Sequence, residues 1–170
     1  MEFKNLHNQT TPLLIGNVWD VPSAQMAERL NFQAIGTSSS AIAALLGYND
    51  GEEMEFSELE YFAKRIIQNT SLPMSVDLES GYSRNPNEIA GHITRLTDLG
   101  VLGINLEDSV VESKRTLLDA DAFASTLSEV KNILKKEDND VFINVRTDTF
   151  LLGHSNVIEE TKNRIQLYEH

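Results

Sequence analysis

Apolar residues fall along this chain in two alternating styles, compact short runs and longer stretches in which they recur at helical spacing. Leu13 to Gly16, Ala34 to Thr37, Met74 to Val76, Val101 to Leu106 and Val141 to Val145 form the compact runs and are predicted strands. Between them, Ser23 to Leu30 repeats Ala24, Ala27 and Leu30, while Phe56 to Ile67 gathers Leu59, Phe62, Ala63, Ile66 and Ile67 on one helical face. Ser57 is the predicted N-cap of that second helix, with Glu60 closing a capping box. Further helices are predicted from Pro86 to about Leu99, with Gly100 as C-cap, from Asp121 to Leu134, and from Val157 to the terminus. Ala41 to Leu46 adds a short helix before the Tyr48–Gly51 turn.

Five strands thus alternate with five helices. Parallel strands need a long crossover, which is most often a helix, so the pattern predicts an α/β fold with a parallel sheet. No linker or low-complexity stretch divides the chain, and residues 1–170 are read as one domain. Polar residues collect where the apolar runs stop: Asn17 and Asp20, Ser38 to Ser40, Asp77 and Glu79, Glu107 and Asp108, Arg146 and Asp148. In parallel α/β folds ligands bind outside the carboxyl ends of the strands. Carboxylates from different strands facing one mouth repel, so they either raise a pKa or hold a hard cation such as Mg2+; three such groups favour the cation.

Each of these residues has a plainer reading. An isolated acidic residue after a strand is commonly an N-cap, Ser38–Ser40 suits a polar turn, and Arg146 suits an ordinary ion pair. Trp19, the only tryptophan, is read as packing rather than stacking on a ligand. His7, His92, His154 and His170 share no metal-ligand spacing and receive no role.

Charge narrows the partners. The 26 acidic and 14 basic residues give a formal net charge of −12, which repels phosphate backbones and anionic lipid. Nucleic acid and membranes are therefore not expected partners, and a small molecule is. No cysteine is present, which removes disulfides, thiolate metal sites and a cysteine nucleophile. No long apolar run and no basic, apolar leader pattern occurs, and a cytoplasmic location is expected.

Six segments, in this order, carry a resemblance: Asn17-Val-Trp-Asp20 with Ser23-Ala24, Ala34-Ile-Gly-Thr-Ser-Ser39, Gly47-Tyr-Asn-Asp50, Val76-Asp-Leu-Glu-Ser-Gly-Tyr82, Gly103-Ile-Asn-Leu-Glu-Asp108 and Asn144-Val-Arg-Thr-Asp148. Together they resemble the phosphoenolpyruvate mutase/isocitrate lyase superfamily over about residues 3 to 170. The resemblance implies a (β/α)8 TIM barrel of which about the first five βα units are present here, so a truncated chain is expected. It also implies a homo-oligomer and a Mg2+-dependent enzyme acting on a small 2-oxo acid or a phosphonate-like or enol-phosphate-like substrate through an enolate-type intermediate. By position, the metal carboxylates are Asp77, Glu79 and Glu107. Ser38 and Ser39 join Asp77 and Arg146 in holding the substrate, and Asp50 and Arg146 lie at the reacting group.

Departures from the family bound the reaction. The lyase branch carries a catalytic cysteine in the loop after the fourth strand, where this chain has Ser109-Val-Val-Glu-Ser-Lys-Arg-Thr116. Cleavage of isocitrate or methylisocitrate is therefore not expected, and the loop is also shorter than the gating loop of the phosphonate-forming mutases. Lys114 and Arg115 are read as solvated loop charges, with closure over an anionic substrate as the alternative. A binding protein that keeps the fold without turnover is the competing class. A receiver-like signalling domain requires an acidic pair after the first strand and a lysine after the fifth, where Asn17 and Arg146 stand.

Overall fold

The structure, a computed structural model, describes residues 3–169. Five strands form one all-parallel sheet in the order β1-β2-β3-β4-β7: β1 Ile15–Val18, β2 Ala34–Thr37, β3 Met74–Asp77, β4 Gly103–Glu107 and β7 Phe142–Arg146. Connecting these are α2 Val21–Arg29, α3 Ser39–Leu46, α4 Phe56–Ile67, α5 Pro86–Asp98 and α6 Ala120–Lys136. A last helix, α7 Val157–Tyr168, follows β7; the predicted end of that helix at His170 lies outside the described residues.

The strands alternate sharply between two faces, as period-two geometry requires. In β3, Met74 and Val76 are buried against the helices while Ser75 and Asp77 line a cavity on the other face. The helix-side core joins Ile35, Val76, Ile104 and Leu106 of the sheet to Leu59, Ile66, Ile93, Leu96, Val130 and Leu134. The opposite face is polar along its middle, with Asn17 and Ser75 at one level and Asn105 and Asn144 at the next, level with Asp77. Its amino-terminal end is closed by a short helix that sequence periodicity did not predict, α1 Phe3–His7. Phe3 and Leu6 of α1 pack on Ala34, Leu13, Ile15 and Phe142. Gly103 makes room for this plug, because a Cβ there would stand 2.6 Å from the Phe3 ring. Five residues are too few to hold a helix alone, so α1 depends on that docking.

Several local expectations shift. The first strand begins and ends two residues later than predicted, because Leu13 is drawn into the α1 cluster and Asn17 pairs within the sheet opposite Gly36. α4 is capped by Glu55, not Ser57: Glu58 accepts from the Glu55 amide at 2.9 Å, and burial of Phe56 draws it into the first turn. The C-cap of α5 is Leu99, and Gly100 follows it with φ +100°. Trp19 is 39% exposed, so the packing role expected of it is not realised. Asp20 takes the plain role of an N-cap, its carboxylate accepting from the Ser23 amide at 2.7 Å.

A second, unpredicted unit is the antiparallel hairpin of β5 Ser109–Val111 and β6 Arg115–Leu117, which leaves the end of β4 directly. Its Val111 rests on the Asp50–Gly51 turn, where Gly51 has φ +114° and a Cβ would stand 2.4 Å from the valine. Only glycine satisfies both the backbone angle and that contact.

Candidate active site

Every strand of the main sheet delivers polar groups to one end, and these line a cavity of about 790 Å³. Ser38, Ser39, Asp50, Asp77, Glu79, Glu107 and Arg146, all singled out from the sequence, lie along its wall. The structure therefore brings the seven together, although they divide into two chemically different halves.

The first half is acidic. Asp77 ends β3 with its side chain held from three sides: Ser39 Oγ donates to it at 2.9 Å, Asn105 Nδ2 at 3.2 Å and the Glu79 amide at 3.4 Å. Asn144 Nδ2 in turn donates to the Asn105 side-chain oxygen, Oδ1. Asp77, Asn105 and Asn144 are in-register neighbours across β3, β4 and β7, so sheet register alone places this belt. Ser38 is the N-cap of α3; its Oγ accepts from Ala41 N at 3.3 Å, and its own amide donates to the Val18 carbonyl at 2.9 Å. The first-turn amides of α3, which have no intrahelical acceptor, begin at Ser39 beside Asp77.

Glu79 is the strained member. It is buried with φ +50°, and Glu52 at φ +63° and Tyr82 at φ +55° adopt the same left-handed backbone beside it. Such conformations cost on the order of 1 kcal/mol or more and persist where surrounding contacts enforce them. Glu52 supplies those contacts, accepting from Ser80 Oγ at 2.9 Å, the Tyr82 amide at 2.6 Å and Arg84 Nη2 at 2.6 Å. One Glu79 oxygen accepts from Tyr82 OH at 3.2 Å; Oε2 is buried with no partner among the described residues. Burial, then the charges of Asp50, Asp77 and Glu52, push the Glu79 carboxyl up to about 7. Burial, with Glu79 beside it, likewise drives the Tyr82 hydroxyl upward.

The second half is electrically balanced. Glu107, 2% exposed, has one oxygen against Arg115 and the other against Arg146. Asp148, 3% exposed, meets Arg146 Nε at 2.9 Å and Arg115 Nη1 at 3.3 Å. Ser109 sits between, its hydroxyl donating to Asp148 at 2.6 Å with Glu107 3.2 Å away. Arg115 also reaches Asp50 at 2.6 Å, linking the hairpin to the turn before α4. It is therefore no solvated loop charge: its side chain is 16% exposed and touches three carboxylates, whereas Lys114 is exposed as expected.

Behind this quartet lies Asp108, fully buried. Its carboxylate accepts from the Asp148 amide at 3.0 Å, Arg164 Nη1 at 2.9 Å and Tyr168 OH at 2.9 Å. The last helix is thus bolted to the ends of β4 and β7. Burial, then the Asp108 charge, raises the Tyr168 hydroxyl above its usual range.

Asp148 and Asp108 were legible as strand-end acids but received no role from sequence, Ser109 and Arg164 received none, and for Arg115 the sequence offered only a solvated loop charge or closure over an anionic substrate. A signal for Arg115 existed: Ser109-Val-Val and Arg115-Thr-Leu flank a three-residue polar loop, the pattern of a short hairpin.

For a divalent cation, Asp77 and the unpartnered Glu79 oxygen are a fitting pair, hard oxygen donors in a mutually repelling group. Glu107 has both oxygens engaged by guanidinium groups. Among the described residues no three acidic or histidine side chains stand ready to share one ion. No helix among them is long and apolar enough to cross a membrane.

Comparison with known proteins agrees with this arrangement. A crystal structure of a phosphonomutase-like protein from Burkholderia cenocepacia J2315 superposes with a TM-score of 0.90 at 34% identity, covering 98% of this chain and 69% of that one. The uncharacterized protein Rv1998c of Mycobacterium tuberculosis is 34% identical over 152 residues, 89% of this chain and 55% of that protein. A 2-methylisocitrate lyase of Aeropyrum pernix is 27% identical over 156 residues, 89% of this chain and 48% of the enzyme. The chain thus spans about half the length of the curated relatives it matches. Its sheet is the corresponding part of a TIM-barrel fold. The family profile of phosphoenolpyruvate phosphomutase matches residues 3–170, and the chain belongs to that family, within the phosphoenolpyruvate mutase/isocitrate lyase superfamily.

Proposed function

We propose that this mouth binds Mg2+ and a small 2-oxo acid or phosphonate-like substrate, and that it serves chemistry passing through an enolate-type intermediate. One observation carries the reading: a buried, unpartnered Glu79 oxygen beside Asp77, facing two arginines across one cavity. Asp77 and Glu79 would hold the cation, with Glu107 nearby. Bound there, Mg2+ supplies Lewis-acid polarisation of a substrate oxygen. The chain's own groups do the rest. Arg146 offers a planar fork suited to a carboxylate. Amides at the start of α3 stand where negative charge develops on the substrate, and such fixed donors need no reorganisation. Asp50, paired with Arg115 at the rim, is the acid we assign to proton handling; its exposure there supports the reading. The hairpin packs Val111 on the Gly51 turn and brings Arg115 to the cavity wall, an arrangement that would limit water on that side.

Lyase, decarboxylase, hydrolase and mutase reactions all suit such a site, and within them the missing cysteine disfavours isocitrate-type cleavage. We place the protein in the cytoplasm as a homo-oligomer, with residues 1–170 acting as one partial-barrel domain. A second reading is binding without turnover; among the described residues the outer edges of β1 and β7 have no strand partner. Calorimetric titration of Mg2+ with oxalate separates these from no site at all. Binding by the wild-type chain that is lost in Asp77→Ala supports the site; equal affinity in the two chains would remove it. Turnover of oxaloacetate with Mg2+ then decides between the two readings.

A further inference from the structure

Resting on that reading of the mouth, we infer that Mg2+ and the substrate carboxylate are taken up cooperatively, through exchange of ion pairs in the Glu107–Arg146–Asp148–Arg115 ring. The ring is closed: each guanidinium touches both carboxylates and each carboxylate touches both guanidiniums. Within the ring two negative and two positive charges cancel, with the exposed Asp50 a further partner of Arg115 at the rim, and this pairing offsets the cost of burying Glu107 and Asp148. The cancellation has a second effect. Glu107, the carboxylate nearest the acidic half, has no oxygen free for a cation, and Arg146 has its fork occupied before any substrate arrives.

Either ligand alone breaks the balance. A carboxylate that takes the Arg146 fork leaves one Glu107 oxygen unpaired in a buried position. Glu107 itself adjoins the acidic loop through the backbone, its amide donating to the Glu79 carbonyl at 2.7 Å, and its side chain lines the same cavity as Asp77 and Glu79. A cation at Asp77 and Glu79 that draws Glu107 toward it leaves Arg146 short of a partner at the rim, where it is the more exposed member of the ring. Together the two ligands restore neutrality: the cation satisfies Glu107 and the incoming anion satisfies Arg146. Binding of each must then strengthen binding of the other by the same factor, as linkage requires.

Calorimetry of the chain with Mg2+ and with pyruvate, each alone and each with the other saturating, tests this. In the wild type each ligand should tighten the other by about tenfold, within the usual range of such couplings. In Glu107→Gln, pyruvate without Mg2+ should bind more tightly than to the wild type, because Arg146 has lost a charged competitor, and the mutual tightening should fall below about threefold. Full coupling retained in Glu107→Gln would show that direct contact between pyruvate and the metal carries it, and would overturn the inference, as would weaker pyruvate binding. Should that variant not fold, Arg115→Gln makes the same test at a hairpin position. Mg2+ alone should then bind more tightly than to the wild type, and weaker binding overturns the exchange. Independent binding of the two ligands to the wild type overturns the coupling alone, whereas failure to bind either removes the proposed site and the coupling with it.

Discussion

Two neighbouring strands end almost alike, β3 in Asp77-Leu-Glu79 and β4 in Glu107-Asp108, yet their acids live in opposite electrostatic circumstances. After β3, Asp77 and Glu79 meet hydroxyls, amides and other acids, and one Glu79 oxygen has no hydrogen-bond partner among the described residues. After β4, Glu107 and Asp108 are both deeply buried and both fully partnered, Glu107 by two guanidinium groups and Asp108 by the Arg164 guanidinium, the Asp148 amide and the Tyr168 hydroxyl. The difference lies in what arrives from elsewhere. Arg115 comes from the hairpin, Arg146 from β7 and Arg164 from α7, so the β4 acids face three elements that carry cations. The β3 acids face α3 and the Asn49–Glu52 turn, which carry none. An acidic pair at a strand end therefore has no fixed meaning. Its neighbours decide whether it is a fastening or a site for a cation.

The contrast breaks most visibly at Asp108. Arg164→Met keeps the bulk of the arginine stem but strands a fully buried carboxylate, a change that typically costs about 3–5 kcal/mol. Urea unfolding should register a loss of that order. A loss below about 1 kcal/mol would mean that the Arg164 pair is no fastening at all.

At Glu79 the sign reverses. Its folded carboxyl titrates near 7, above the unfolded value near 4.5, so the folded chain holds the proton more tightly. Stability from this group is full below about pH 4.5 and is lost as pH rises through about 7. The span corresponds to about 3 kcal/mol as an upper figure. In EDTA at pH 8, Glu79→Gln should therefore be more stable than the wild type by about 1–3 kcal/mol, with the two alike near pH 4.5. Added Mg2+ should restore the wild type at pH 8 and leave the variant unmoved. A destabilised glutamine variant at pH 8 would show that Glu79 is a saturated structural acid like Asp108.

How much of this was legible in the sequence follows the same division. The parallel class and the gathering of Asp77, Glu79, Glu107 and Arg146 at one mouth follow from period and position, because both are local properties of the chain, whereas the barrel arrangement of the strands came only with the family resemblance. Helix α1 was not legible, since five residues carry little periodic signal and its docking beneath β7 is a contact across most of the sequence. Arg115 was missed for a related reason: read in line, Glu112-Ser-Lys-Arg is an exposed charged loop, and only pairing of β5 with β6 turns the arginine inward. Tertiary pairing, not composition, assigned those charges.

The smallest effect separates the rim of the balanced half from its interior. Asp50 shares Arg115 with Glu107 and Asp148, but its side chain is 45% exposed while theirs are almost wholly covered. Solvent screens an exposed pair, and such pairs are commonly worth about 0.2–1 kcal/mol. Asp50→Asn should thus lower stability by less than about 1 kcal/mol, since Arg115 keeps its two buried partners and the glycine beside Asp50 keeps its contact with Val111. If Asp50 handles a proton at the rim, the same variant should lose turnover while retaining oxalate affinity within a few-fold, because the fork of Arg146 is untouched. Unfolding and calorimetry on the one protein check both halves. A loss of several kcal/mol in stability would place Asp50 inside the fastening, and intact turnover would remove it from the chemistry.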